Sequence, residues 1–496
     1  MKIESTTGIF CIDKRDFIQF IAKNNKKGGC DLEATSTILS ELEEYLKQTA
    51  LTITQFAKRS QLHSGTLSNI INGHRPIAMQ QLDRITRAMG QEEGFFYDLY
   101  ITNYIIEGST DWRRVGPLLL RCAELDKLDS IRRIARHVMD NLMYAPLLFD
   151  TAEELFNTGK KEAAAAIYEI VAETEQFQHS ERLALCHYRL FTISLSDDQD
   201  RNLWVANQFE PFVERLDEID QLDALKELAN TYRSLQRWDK VDECAAKMGH
   251  KARIQYDLKV RPERRMSEST KLPGRPLFFY IAYSDLLRGN VCDELGDYEG
   301  ALGYKYAYAD LSWVKEQGDA VEHWKNLFHE WSMANIYITK LLSGDITVLG
   351  SYVSYIDKHR NELVMGLLHI LRAANKNQLN IDRTLELYQQ EIEEILNDLV
   401  KGSYSRNLAM DRQANLIYEL AYYYLNKEEH SKGFDLLLKT IINFQNLNNE
   451  KNILECVTLF ERFRNVANQE IQDQYQTQLL GGFSHEEKGC YISYGS

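Results

Sequence analysis

Three asparagines in this 496-residue chain each directly follow a small residue inside a stretch of helical period: Asn230 after Ala229, Asn290 after Gly289 and Asn335 after Ala334. A primary amide both donates and accepts hydrogen bonds, so three of them on one surface can hold a polypeptide backbone without reading its side chains. The same amides can equally bind only water, and the sequence leaves both readings open. Lys226, Tyr283, Asp293, Trp331, Tyr418 and Tyr422 fall about one helical turn away on the same face. Tyrosine and tryptophan offer large contact area at low entropy cost, although such rings serve as often in plain core.

A second group is set apart by charge. Between Thr52 and Gly90 stand five cations, Lys58, Arg59, Arg75, Arg84 and Arg87, against one acid, Asp83, in a chain of net charge −15. A protein that coats nucleic acid or membrane with its whole surface needs a surplus of cations, so any such contact here must be local to this window.

Other chemistry finds no support. There is no glycine-rich phosphate loop, no dinucleotide fingerprint and no zinc-protease pair, since His329-Glu330 lacks a second histidine one turn on. The acids sit at helix-surface spacing, which describes a solvated face better than a catalytic pair. The eight cysteines are scattered without a metal or disulfide spacing and read as small buried hydrophobes. We expect no enzyme, no cofactor and no metal, and a cytoplasmic protein without a membrane span.

These residues must be positioned by helices. Prolines number only 7 in 496 residues, and the stretches between them are rich in Leu, Ala, Glu, Lys and Gln, so the expected class is all-α. Residues 1–35 carry no clear period and form an extension. From 36 to 100 the pattern predicts a compact helical domain. A first helix runs over 36–49, with Ser36 as candidate N-cap. A short helix capped by Thr52 or Thr54 runs through Arg59, and a turn follows at Ser60-Gln61-Leu62. A second short helix spans Ser64 to Ile71, burying Leu67, Ile70 and Ile71 and ending at Asn72-Gly73. A further helix carries the stripe Leu82, Ile85, Ala88 and Met89.

Beyond residue 100 the helical period barely pauses. Five segments share one layout, with a small residue on a first helix, a turn, and a second helix; their small residues are Ala152, Ala229, Gly289, Ala334 and Ala421. In the clearest copy Gly289 and Ala301 permit close helix approach, Gly296 ends the first helix and Tyr298 packs at the turn. The spacing matches tetratricopeptide repeats in degenerate form, predicting a right-handed solenoid over 101–470 with a concave groove, and a peripheral tail over 471–496. In that geometry Asn230, Asn290 and Asn335 face the groove. The insertion at 259–276 holds three prolines and six Lys/Arg, and reads as a surface loop able to meet a ligand carboxylate.

The two short helices and three-residue turn resemble the DNA-reading helix-turn-helix of the lambda-repressor (Cro/C1) family over about 40 residues. That resemblance places Ser64, Gly65, Thr66, Ser68 and Asn69 toward base edges, and Lys58, Arg59, His74 and Arg75 on phosphates. Two features depart from the family: the second helix has no Arg or Lys, and His63 stands where a capping Ser or Thr is usual.

Such a domain feeding into tetratricopeptide-like repeats resembles the RRNPP peptide-pheromone receptors of Gram-positive bacteria and their phages, and residues 72–100 resemble members close to the arbitrium receptors. The resemblance implies quorum sensing by a cytoplasmic homodimer that binds a double-stranded DNA operator and is switched by a short linear signalling peptide in the groove. It also implies pairing through helices around Ile417–Leu438 and Ile453–Val466. A competing reading is a repeat-scaffold adaptor that binds a protein partner and uses the helix-turn-helix domain for assembly only.

Overall fold

The computed structural model describes residues 37–108, 110–178, 180–260, 271–397, 406–447 and 449–483. Every regular element among them is helical, as the composition predicts. The extension at 1–35 and Ser36 lie outside the described residues. No described helix is long and apolar enough to cross a membrane. The chain divides into two compact units, residues 1–193 and 194–496.

The first unit opens with α1 (Ile38–Thr49), α2 (Ile53–Arg59), α3 (Ser64–Ile71) and α4 (Met79–Ala88). The cap of α1 is Thr37, whose hydroxyl accepts from the Ser40 amide while the Ser40 side chain answers the Thr37 amide. Thr52, not Thr54, caps α2 in the same reciprocal way with Gln55. Phe56, Leu67, Ile70, Leu82 and Ile85 form the centre of this domain, while Ile71 is only half-buried.

Continuity beyond residue 90 comes from aromatic side chains. The helix α5 (Tyr97–Tyr100) runs on as a π-helical turn, Ile101–Ile106, and buries Phe96, Tyr97, Tyr100 and Ile105. The Tyr100 hydroxyl donates to the Ile77 carbonyl at 2.7 Å, and that of Tyr97 to Asp83 at 2.8 Å. Helices α6 (Trp112–Glu124), α7 (Leu128–Val138), α8 (Ala145–Asn157), α9 (Lys161–Thr174) and α10 (Glu181–Ser194) follow. The compact division therefore falls near residue 193, whereas the change of sequence pattern falls near residue 100.

The second unit contains α11 (Gln199–Phe209), α12 (Glu218–Ser234), α13 (Trp238–Val260), α14 (Leu277–Leu295), α15 (Tyr298–Ala309), α16 (Asp319–Leu342) and α17 (Leu349–Lys358). It continues through α18 (Leu363–Asn377), α19 (Asp382–Leu387), α20 (Gln389–Asn397), α21 (Arg406–Asn426), α22 (His430–Asn446), α23 (Glu450–Phe463) and α24 (Gln469–Phe483). Helix α24 corrects the expected tail from 471. Residues 471–483 are helical, and Tyr475 is buried with its ring stacked 3.7 Å from that of Phe460. The remainder of that tail, 484–496, lies outside the described residues.

One turn recurs in both units. A residue in the left-handed region ends a helix, and the next amide donates to the carbonyl five residues back, closing the Schellman arrangement. It occurs eleven times among the described residues, at Ala50, Gln61, Gly73, Gly90, Asp126, Gly159, Gln236, Gly296, Gly344, Gln378 and Glu428. The closing bonds, such as those from Lys127 to Cys122, Arg237 to Tyr232 and Asp297 to Cys292, lie between 2.8 and 3.2 Å. Five of the eleven positions are glycine.

A Cβ at Gly289 would lie 3.4 Å from Tyr304 and 3.5 Å from the Ala301 carbonyl, so α14 and α15 are in contact where the small residues predict it. Tighter approaches occur elsewhere: a Cβ at Gly249 on α13 would come within 2.8 Å of the Ser284 Cβ on α14, and one at Gly433 on α22 within 3.0 Å of the Leu425 amide nitrogen on α21.

Candidate functional site

Helix α3 presents one face to solvent. At 100° per residue, Leu67 and Ile70 share the buried side, which puts Gly65, Asn69 and Asn72 at the centre of the opposite side. Those three are exposed, while Ser64, Thr66 and Ser68 are half-buried along its edges. Asn72, read from sequence only as part of a helix end, therefore belongs to the exposed face, its amide donating to the Ser68 hydroxyl at 3.3 Å.

The departure at His63 is resolved by geometry. Its Nδ1 accepts from the Gly65 amide at 3.2 Å, so the imidazole in its uncharged Nε2–H form performs the capping that a hydroxyl would. Gly65 is matched to this cap, since a Cβ there would lie 3.3 Å from that same nitrogen.

The turn between α2 and α3 is pinned from α4. Gln61 adopts φ +55°, and Arg84 donates to its carbonyl at 3.1 Å. Arg87 is paired with Glu93 at 3.2 Å. Lys58, Arg59 and Arg75 remain exposed with no ion-pair partner among the described residues. His74 is also exposed, and its amide and that of Arg75 both donate to the Asn69 carbonyl, which fixes the chain beyond Gly73 (φ +70°) against the end of α3.

In the second unit, helices α12, α13, α14, α15, α16, α18, α21 and α23 enclose a cavity of about 630 Å³. Its lining includes five asparagines, Asn290, Asn335, Asn415, Asn449 and Asn452, with Arg233, Arg372 and Lys451 as cations and Asp293, Glu294, Asp411 and Glu455 as acids. The Lys451 ammonium reaches the Gln236 amide oxygen at 2.8 Å, joining the start of α23 to the turn between α12 and α13.

Of the nine residues assigned to this groove from sequence, Asn290, Asn335 and Asp293 line it. The other six are engaged elsewhere. Asn230 accepts from the Tyr283 hydroxyl at 2.6 Å, and the Tyr283 ring stacks on Phe279 at 5.3 Å. Lys226 is buried and paired with Glu227. Trp331 packs among Trp324 and Phe328. Tyr418 and Tyr422 pack against the core, and the latter's hydroxyl accepts from Arg462 at 2.9 Å.

The polar floor is cross-linked. Asn335 donates to the Tyr308 hydroxyl at 2.9 Å, while the Asn290 amide has no hydrogen-bond partner among the described residues. Thr339 donates to Asp293 at 2.7 Å, and Lys305, almost fully buried, bonds both Asp293 and Thr339. Burial pulls the Lys305 ammonium pKa down and Asp293 opposes this. Burial also pushes Asp411 up, against the amides of Asn449 and Asn415 that donate to it at 3.2 and 3.0 Å. His369 is held neutral, its pKa lowered to about 3 by burial, with Arg372 and Lys305 adding to the effect.

Sequence reasoning missed Asn415, Asn449, Asn452, Arg233 and Arg372. Asn449 carries a readable signal as the cap of α23, accepting from the Asn452 amide at 3.2 Å. Asn415 lies nearly two turns before Ala421, so aligning this copy on its small residue pointed to Tyr422 instead. The basic insertion does not form a free lip where it is described: Lys259 pairs with Glu316, Lys271 with Asp220 and Arg275 with Asp223. Its remaining cations, Arg261, Arg264 and Arg265, lie outside the described residues.

Compared with protein-family models, curated proteins and solved structures, the chain matches none.

Proposed function

We propose that this chain is a cytoplasmic DNA-binding transcriptional regulator of the RRNPP kind, similar to arbitrium receptors, in which a short linear peptide occupies the groove of the second unit. The observation that carries the reading is the cavity of about 630 Å³ with Asn290, Asn335, Asn415, Asn449 and Asn452 on its walls. Its size falls in the range of ordinary ligand sites, and the Asn290 amide, without a partner among the described residues, can pair with a peptide unit of an extended ligand.

DNA contact is assigned to the exposed face of α3, centred on Gly65, Asn69 and Asn72, with Lys58, Arg59, His74 and Arg75 on phosphates. Asparagine pairs bidentately with adenine, so Asn69 would read an A·T step. A homodimer must set two such helices about 34–36 Å apart. Its surface is drawn from exposed apolar residues near the C-terminus, Leu454 and Val466, because Ile417, Leu420, Leu437 and Leu438 are buried within their own unit.

The test is genome-wide capture of DNA bound by the tagged full chain in its host, for the unmodified protein and for Asn290→Ala and Asn230→Ala. Discrete sites whose occupancy shifts with Asn290→Ala and not with Asn230→Ala are expected. No discrete sites under several growth conditions would overturn DNA binding. Sites indifferent to Asn290→Ala would overturn the groove assignment.

A further inference from the structure

A second groove lies in the same unit, between α19–α20 and the α21–α22 hairpin. Its floor is apolar, built from Leu385, Ile392, Leu420 and Leu436, and its volume is about 370 Å³. At Leu396 it adjoins a further cavity of about 420 Å³ lined in part by Met410, Ile417 and Ile442. The two share Leu396 and form a channel along α20, the second part of which also carries Lys439, whose ammonium bonds the Leu396 carbonyl.

The rim of the first cavity is mainly acidic, with four carboxylates against one ammonium. Glu386, Glu393 and Glu429 are exposed on it, and none has a cation within ion-pair distance among the described residues. The fourth acid, Asp382, is neutralised by Lys427. Lys432, the cation of the lining, sits 3.9 Å over the Tyr424 ring rather than on a carboxylate. An apolar floor repels charge, and three unneutralised carboxylates above it select an occupant that is apolar on one side and basic at its margins.

We propose that this channel docks a basic amphipathic helix of a partner protein. Apolar side chains spaced i, i+3 or i+4, and i+7 enter the two cavities, and flanking Lys or Arg meet Glu386, Glu393 and Glu429. The site is separate from the asparagine-lined groove and does not depend on what that groove binds.

The test is fluorescence anisotropy on the full chain with a synthetic 16-residue helix of leucine and lysine carrying this spacing, and with its glutamate-for-lysine counterpart. Saturable binding of the lysine helix is expected, weakened at least tenfold by the exposed triple change Glu386→Lys, Glu393→Lys and Glu429→Lys. That variant should then bind the glutamate helix, a swap that misfolding cannot imitate. Absence of saturable binding, or binding indifferent to the triple change, would overturn the proposal. So would a shift in the chain's own sedimentation on making that change, which would identify the occupant as a second copy.

Discussion

Arg121 places its Nε 3.2 Å from Oδ2 of Asp83, so the first helix after the π-turn is ionically tied to α4. Tyr97 donates to the other oxygen of that carboxylate, and Arg121 also meets Glu93 and Glu124. Both partners are largely shielded, which makes the pair stronger than an open surface bridge. A double-mutant cycle with Asp83→Asn and Arg121→Met, followed by urea unfolding, should give a coupling of about 1–2 kcal/mol. A coupling near zero would mean that the aromatic packing of Tyr97 and Tyr100 alone joins these elements.

The turn before α3 stores strain that glycine would release. Gln61 pays for a left-handed backbone at φ +55°, and a non-glycine residue there costs about 1 kcal/mol. Gln61→Gly should therefore raise stability by up to about 1 kcal/mol, since the Arg84 bond goes to a carbonyl that the change preserves. A fall in the thermal midpoint would show that the side chain contributes more than its backbone strain costs.

Salt dependence should report the number of free cations on the proposed DNA face. Lys58, Arg59 and Arg75 are unpaired there, whereas Arg84 and Arg87 are committed within the protein. Each phosphate neutralised contributes about 0.9 to the slope of log affinity against log salt, so three give a slope of about −2.7 per domain. Lys58→Gln should bring it to about −1.8, read by titration at several salt concentrations. An unchanged slope would remove Lys58 from the contact.

Glu419 supplies a pH test. Burial raises its pKa, only partly offset by the Asn375 amide at 2.7 Å and by Arg372. A carboxyl raised on folding favours the folded state while protonated and loses that contribution as pH climbs through its folded pKa. Glu419→Gln should accordingly stabilise the protein at neutral pH, with the difference shrinking as pH falls toward the usual glutamate range. A difference that does not vary with pH would sink this account.

The local elements were legible because their signals are local. Apolar period and capping chemistry specified α1, α2 and α3 within a residue or two and the apolar stripe of α4, and Asn72-Gly73 marked a helix end that the left-handed Gly73 provides. Among the repeated turns of the later helices, Gly296 was also read as a helix end. Others use Asp126, Gln236, Gln378 and Glu428, whose types do not announce a left-handed backbone.

What the sequence determined by itself was therefore the helical class and the individual short helices near the N-terminus, since each follows from periodicity over a few turns. Only the tertiary structure decided which amides remain open. Asn230 and Asn290 occupy equivalent places beside a small residue, yet one is spent on Tyr283 and the other faces a cavity. That outcome depends on which neighbouring helix crosses above each turn, and Asn415, Asn449 and Asn452 join the same wall from more than 100 residues away. Spacing along one helix names a face; chain segments distant in sequence determine whether that face is a wall or a core.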